Sequence, residues 1–390
     1  MNRRVAVLTG TRADYGLLRG LLKTLAADAR IELQVIVTGT HLTDRFGRTA
    51  AEIESDGVPI SASVPIWSGS DSRQGVADDV GRALPEYVRT LEHLAPDILV
   101  ILGDRLEAFT AATAATILSL PVAHIHGGEV TEGAMDDALR HAITKMSYLH
   151  FVSTHEHRQR VVQLGEEPSR VFFHGAPIVD ALDDIQLLPP EQVEERFGLG
   201  LQSPLALVTF HPAVMDVDEP GVLVNEMLAG LLAVDDLRIV ITGSNSDIGT
   251  DDVRDRIARF VQEHPERVDF IESFGQLGYL SAMAASDVVV GNSSSTVLEA
   301  PVLGVPSVLV GDRQKGRPLA STVLSPAPER DAIATAVRAA LVRDGAKTGT
   351  DIFGTPGFAS RTAVTLRDTE LNRPPRKTFY DFEQRADNEH

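Results

Sequence analysis

The stretch Val5-Ala6-Val7-Leu8-Thr9-Gly10-Thr11-Arg12-Ala13-Asp14-Tyr15-Gly16 decides the fold. Its apolar opening, without polar alternation, describes a strand covered on both faces. The Gly-Thr turn and the aspartate just after it describe the start of a helix. A strand that feeds a helix through so short a turn is the first step of a parallel α/β sheet. The turn does not carry G-x-G-x-x-G, so it offers no dinucleotide fingerprint. Two readings of it stand side by side. A glycine-bounded helix start with Arg12 beside it presents amides, a dipole and a charge to an anion; equally, it is an ordinary turn with Asp14 as cap.

The same step recurs along the chain. Strand-like runs at 5–9, 33–38, 98–102, 122–125, 150–153 and 171–174 alternate with helical patterns at 14–27, 73–93, 105–118 and 137–148. A second series has strands at 205–210, 239–242, 268–271, 288–290 and 307–310 and helices at 221–233, 251–263, 276–285, 295–303 and 329–343. Two α/β domains with parallel sheets and right-handed crossovers follow. The spacing predicts an N-terminal Rossmann-like domain over 1–185, a linker over 186–203, a C-terminal Rossmann-like domain over 204–365 and a tail over 366–390. The linker holds Leu188-Pro189-Pro190 and the turn Gly198-Leu199-Gly200. A last helix is expected at 361–367, and the polar end from Asn372 reads as frayed.

Composition bounds the chemistry. The 390 residues contain no cysteine, which excludes disulfides, thiolate metal ligation and cysteine nucleophiles. A net charge of −19 opposes non-specific binding to nucleic acid or to an anionic membrane. The apolar opening is too short for a signal peptide, and no run is long enough for a membrane span, so the expected location is cytoplasmic.

Ligands of open parallel sheets sit beyond the carboxyl ends of the strands, and the chemistry collects there. After 98–102 comes Gly103-Asp104-Arg105-Leu106-Glu107, where Asp104 reads as a base, a hydroxyl-binding group or a cap. After 122–125 comes His126-Gly127-Gly128-Glu129, then Asp136 and Asp137, the densest cluster of titratable groups. His124 and His126, two apart on a strand, are expected on one side. Paired carboxylates for proton transfer suit this cluster better than a metal, for which no H-E-x-x-H spacing exists. In the second half, His211 ends a strand, Asn245 follows another, and Gly291-Asn292-Ser293-Ser294-Ser295 enters a helix carrying Glu299. Hydroxyls and amides at such a turn make a phosphate nest, and Arg313, Lys315 and Arg317 follow the last run. Carboxylates and histidines in one domain and a phosphate set in the other suit a nucleotide-linked substrate that bridges the two.

These residues resemble a known family. Gly10-Thr11-Arg12-Ala13-Asp14-Tyr15-Gly16, Gly103-Asp104-Arg105-x-Glu107, His124-Ile125-His126-Gly127-Gly128-Glu129, Arg140-His141-x-Ile143-Thr144-Lys145-Met146-Ser147, Gly291-Asn292-Ser293-Ser294-Ser295 and Gly311-Asp312-Arg313-Gln314-Lys315-Gly316-Arg317 are similar, in order, to the hydrolysing UDP-N-acetylglucosamine 2-epimerases of bacterial sialic-acid synthesis. The tail Phe379-Tyr380-Asp381 is similar too. The resemblance implies a fold of the glycosyltransferase-B (GT-B) type with the active site in the interdomain cleft. It implies anti elimination of UDP to a 2-acetamidoglycal, then hydration to N-acetylmannosamine, with no metal or redox cofactor and a homodimer or homotetramer as the assembly. Carried over residue by residue, Asp104, Glu129, Asp136 and His211 are catalytic. Arg12, Arg105, His126, Asn245, Ser293, Ser294, Glu299 and Arg313 bind substrate. Many relatives have glutamate where this chain has His126, so either His126 or Glu129 fills that role. Alternatives are the same reaction on UDP-2,4-diacetamido-2,4,6-trideoxyglucose, a GT-B glycosyltransferase, and a non-catalytic UDP-sugar sensor.

Overall fold

The computed structural model describes residues 2–43, 49–67, 72–131, 135–211, 220–243, 250–342 and 351–381. Two compact units emerge. The N-terminal unit takes the chain up to Ala181 and again from Phe353; the C-terminal unit is Leu182–Ile352.

In the N-terminal unit the strands are β1 (Arg3–Thr9), β2 (Ile31–Thr38), β3 (Ile60–Val64), β4 (Ile98–Leu102), β5 (Val122–Ile125), β6 (Leu149–Val152) and β7 (Val171–Phe173). They pair in parallel in the order β3-β2-β1-β4-β5-β6-β7. The helices are α1 (Arg12–Ala27), α2 (Ala50–Ser55), α3 (Arg73–Leu94), α4 (Leu106–Ile117), α5 (Met135–Met146), α6 (His155–Gln163) and α7 (Pro177–Asp183). Val5, Val7 and Val100 face α1, and Ala6, Leu99 and Ile101 face the α3–α4 layer, so both sides of the sheet are covered. The alanine run of α4 lets its backbone lie close to the strands, with Ala111, Ala112, Ala114 and Ala115 buried.

The C-terminal unit repeats the plan. Its helices are α8 (Pro190–Phe197), α9 (Pro220–Leu232), α10 (Thr250–Glu263), α11 (Gly275–Ala284), α12 (Glu299–Val302) and α13 (Arg330–Val342). Strands β8 (Leu205–Thr209), β9 (Arg238–Thr242), β10 (Val268–Ile271), β11 (Val288–Gly291), β12 (Ser307–Leu309) and β13 (Val323–Leu324) run parallel in the order β10-β9-β8-β11-β12-β13. In each sheet the first strand lies between the second and the fourth, which defines a switch point at β1/β4 and another at β8/β11.

Several expectations are corrected. The C-terminal domain does not run to 365, because the last helix, α14 (Phe358–Asp368), belongs to the N-terminal unit. Phe358, Ala359, Ala363 and Leu366 complete the core under β1 and α1. The expected linker begins inside the C-terminal unit, and Val193 of α8 sits in that unit's core. The helix expected at 295–303 breaks into a 3-10 turn, Ser294–Thr296, and the four-residue α12. The run at 307–310 is followed by another strand, β13. Residues 373–381 are not frayed: Lys377 and the Tyr380 backbone amide bond the N-terminal unit.

Helix α14 has Gly357 at its N-cap, which offers no side chain, so a distant carboxylate serves instead. Asp180 Oδ1 accepts from the amides of Gly357 at 2.6 Å and Phe358 at 3.0 Å, and Oδ2 from Ala359 at 2.7 Å. Replacing Asp180 by alanine orphans these donors. Urea unfolding of the Asp180→Ala chain is expected to show a loss of about 2 kcal/mol from the N-terminal unit; an unchanged midpoint contradicts this capping role.

Candidate active site

The first set of side chains gathers at the β1/β4 switch point. Strand adjacency brings the turn after β1 to the turn after β4, and Arg105 Nε lies 3.9 Å from Asp14 Oδ1. Asp14 also caps α1 reciprocally: its amide donates to Thr11 Oγ1 at 3.1 Å, and its Oδ2 accepts from the Gly10 amide at 3.3 Å. Burial pushes its carboxyl above the ordinary range, with Arg105 opposing. Burial raises the Glu107 carboxyl in the same way. Arg12, by contrast, stands 66% exposed and pairs with Glu52 at 3.1 Å on the rim of α1.

Asp104 is held from two directions. Behind it, fully buried His124 bonds the Gly103 carbonyl through Nε2 at 2.8 Å and Thr144 Oγ1 through Nδ1 at 3.2 Å. Burial lowers that imidazole to about 3, so it is neutral and donates from Nε2. In front, the carboxylate of Asp104 pairs with the buried guanidinium of Arg140. Arg140 also donates to Glu129 O at 3.0 Å, Thr131 Oγ1 at 3.0 Å and Asp137 Oδ1 at 3.2 Å.

These bonds separate the two neighbouring aspartates. Asp137 is committed to the scaffold, because Oδ1 also accepts from the Thr131 amide at 2.9 Å and Oδ2 lies 3.5 Å from His141 Nε2. Asp136 is the one that senses Asp104. Although Asp136 is exposed to solvent, partial desolvation raises its carboxyl, and the negative charge of Asp104 raises it further.

The histidines do not share one side as expected. Strand β5 stops at Ile125, and His126 takes a left-handed backbone with φ +68°, so the two-residue period ends before it. His126 Nδ1 instead lies 3.3 Å from Glu129 Oε1, which accepts from Ser153 Oγ at 3.2 Å. His157 of α6 is buried nearby, lowered by that burial to about 4, with neither ring nitrogen hydrogen-bonded to a described residue.

The second set occupies the β8/β11 switch point. Asn292 clamps the backbone at His211: its Oδ1 accepts from the His211 amide and its Nδ2 donates to the His211 carbonyl, both at 2.7 Å. The Asn292 carbonyl accepts from Arg313 Nη1 at 3.2 Å and Gln314 Nε2 at 3.0 Å. Ser293 Oγ accepts from Ser295 Oγ at 2.9 Å, and Ser295 Oγ meets the Tyr279 hydroxyl at 2.7 Å. Gly291, at φ +143°, admits no side chain, since a Cβ there would stand 1.9 Å from Thr209 O. Ser294 opens the 3-10 turn, and Glu299 follows, raised by burial, its buried Oε2 without a hydrogen-bond partner among the described residues. Asn245 lies outside the described residues.

The structure therefore groups Asp104, Asp136, Arg105, His126 and Glu129 in one unit, and His211, Ser293, Ser294, Glu299 and Arg313 in the other. Sequence reasoning did not single out Arg140, Ser153 or His157 as site residues. Arg140 had a signal, lying one helical turn beyond Asp136, but a helical arginine reads as a surface residue. Among the described residues no cluster of His, Asp or Glu could hold a metal ion. Nor is any helix among them long and apolar enough to cross a membrane.

Removing the charge at Arg140 leaves the carboxylates of Asp104 and Asp137 without their shared cation. Arg140→Met is expected to cost about 3 kcal/mol in urea unfolding. Arg140→Lys restores only part of it, since an ammonium cannot reach four acceptors as a planar guanidinium does. Equal stability of all three chains contradicts the central role of Arg140.

Comparison with known proteins adds the lineage. Residues 23–367 match the family described as UDP-N-acetylglucosamine 2-epimerase. The chain is 35% identical over 341 residues to the UDP-N,N'-diacetylbacillosamine 2-epimerase (hydrolyzing) of Legionella pneumophila, covering 87% of this chain and 89% of that protein. It is 33% identical over 332 residues to polysialic acid biosynthesis protein P7 of Escherichia coli, covering 85% and 84%. Among solved structures, UDP-GlcNAc 2-epimerase from Neisseria meningitidis bound to UDP-GlcNAc superposes with a TM-score of 0.74 at 20% identity, covering 93% of this chain and 99% of that one. The protein from Listeria monocytogenes, also described as a UDP-N-acetylglucosamine 2-epimerase, gives a TM-score of 0.75 at 19% identity, covering 94% and 96%. These likenesses give the fold, two parallel α/β sheets of the GT-B-like kind, and the family match together with the 35% identity establishes that this chain belongs to the UDP-N-acetylglucosamine 2-epimerase family.

Proposed function

We propose that this protein is a hydrolysing 2-epimerase of a UDP-linked 2-acetamido sugar. The observation that carries the reading is the pair Asp104–Asp136. Partial desolvation and a neighbouring negative charge make Asp136 a stronger base than a free aspartate. Proton abstraction from a weakly acidic carbon needs such a group, fixed in position. In this reading Asp136 takes the C2 proton, the C1–O bond to the β-phosphate breaks, and UDP leaves with the electron pair. Water then supplies the C1 hydroxyl, and a proton returns to C2 on the opposite face.

The reading divides the labour. The acids of the N-terminal unit handle the sugar carbon, with Arg105, His126 and Glu129 around it. The C-terminal unit receives the charge of the leaving diphosphate on the amides near Ser293 and Ser294, on His211 and on Arg313. Glu299, desolvated and with Oε2 unbonded among the described residues, suits the vicinal hydroxyls of a ribose. Arg12, Asn245 and the homo-oligomeric state remain part of the proposal through the family resemblance.

Two donors fit. UDP-N-acetylglucosamine would yield N-acetylmannosamine. The relatives from Legionella pneumophila and Campylobacter jejuni, 35% and 33% identical, are named for UDP-N,N'-diacetylbacillosamine and GDP/UDP-N,N'-diacetylbacillosamine, and they favour the UDP-diacetamido-trideoxy donor. Incubation with each donor in deuterium oxide tests both at once. The expected products are UDP and a sugar inverted at C2 that carries deuterium there. A product that keeps its C2 hydrogen indicates glycosyl transfer, and binding of UDP without turnover of either donor indicates a sensor.

The sign of the pH dependence follows. Asp136 must be ionised to act, so kcat/KM rises with pH along a limb that lies above the ordinary aspartate value of 3.8. Asp104→Asn removes a charge that raises Asp136. It is expected to lower kcat about 100-fold or more, to move any residual limb to lower pH and to leave UDP affinity intact. Parallel loss of UDP binding overturns that role for Asp104. Arg313→Ala is expected to weaken UDP binding, and unchanged affinity removes Arg313 from the site.

A further inference from the structure

Residues 373–381 cross the N-terminal unit to the far end of α5. There Lys377 Nζ donates to the carbonyls of Lys145 at 2.8 Å and Ser147 at 2.5 Å and pairs with Glu166 Oε2 at 2.6 Å. Glu166 is 2% exposed and also holds Lys145 Nζ at 2.7 Å and His150 Nε2 at 3.0 Å. Although burial opposes it, these bonds keep its carboxyl down at about 2. The Phe379 ring lies on Gly165, whose φ of +85° and missing Cβ make room for it: a Cβ there would stand 2.4 Å from the ring. The Tyr380 amide donates to Gly165 O at 3.0 Å, and its side chain packs on Val152, Val161, Val162 and Val171. Lys145 Nζ sits 4.9 Å from the centre of the Phe379 ring.

These contacts converge on one helix end. The last carbonyls of a helix have no internal partners, and a cation there both bonds them and matches the dipole. The other end of α5 carries Asp136 in its first turn, with Arg140 one turn on. Twelve residues span about 18 Å, so a tilt or slide at Lys145 is carried along the rod to Asp136.

We propose that the segment 373–381 is a positioning strap for α5, in which Lys377 and Glu166 fix the helix end and thereby set where Asp136 and Arg140 stand against Asp104. The catalytic consequence rests on the proposed epimerase reading; the mechanical claim does not. Lys377 touches no reacting atom in this account and is a positioning residue.

The test uses the full chain with Lys377→Met, Lys377→Arg and Phe379→Ala. Hydrogen exchange on the folded proteins is the readout independent of activity. In Lys377→Met, exchange is expected to quicken along the whole of α5, including residues 135–140, while β4 and β5 stay protected. Quickening confined to the strap and to residues 145–147 and 164–166 overturns the proposal. In the donor assay, kcat of Lys377→Met falls about tenfold or more with KM and UDP affinity unchanged, and Lys377→Arg restores most of it. A lower melting temperature with unchanged kcat overturns the catalytic consequence. Should Lys377→Met fail to fold, Phe379→Ala decides by the same exchange pattern, because it unseats the strap from Gly165 and from Lys145 without stranding the buried Glu166 carboxylate. Failure of the unaltered chain to release UDP from either donor would count against the epimerase reading alone, since the exchange pattern still judges the strap.

Discussion

A single buried guanidinium ties together the acidic turns of the N-terminal unit. Arg140 joins the carboxylate after β4, the backbone and hydroxyl of the loop after β5, and an aspartate on its own helix. A planar, permanently charged fork can satisfy that many oxygens at once where an ammonium cannot. Three aspartates could not be drawn together at this sheet edge without a counter-charge, because each would push the others apart or force them to take up protons. With Asp104 and Asp137 paired to Arg140, Asp136 is left outside that ion-pair network and feels the charge of Asp104.

The two sheets place their functional turns by the same rule but dress them differently. At each switch point two turns come together with no strand between them. In the first the space is lined with acids and held by ion pairs. In the second it is lined with hydroxyls and amides, and the fixing device is neutral: Asn292 grips both polar groups of the His211 backbone.

Much of this was legible in the chain. β4 begins and ends where an uninterrupted apolar run does, because a strand covered on both faces carries the strongest signal; β5 and β10 also lie at the expected residues, although His124 interrupts the one and Asp269 the other. β3, with the half-polar sequence Ile60-Ser61-Ala62-Ser63-Val64 at a sheet edge, carried little, and the two-residue β13 none. α6 was hidden by its run His155-Glu156-His157-Arg158-Gln159-Arg160, whose buried histidine reads as polar until the fold surrounds it. Candidate site residues were visible as clusters after strands. Their roles were not, because only folding reveals that His126 turns left-handed and that Asp137 rather than Asp136 is bound into the scaffold. The allegiance of α14 was equally unreadable, since it rests on contacts between residues nearly two hundred positions apart.

That last feature bears on how the protein is made. The N-terminal unit is interrupted, and the ribosome must finish the entire C-terminal unit before it reaches Phe353. At typical synthesis speeds this delay is about ten to thirty seconds, far longer than a helix needs to form. Through that interval the nascent first sheet lacks Phe358 and Leu366 over its core and lacks Lys377 beside Glu166, leaving apolar surface and a buried acid incompletely matched. Birth order thus makes the earlier-born half the later to mature, and a nascent chain stalled before residue 353 would be a natural client for chaperones.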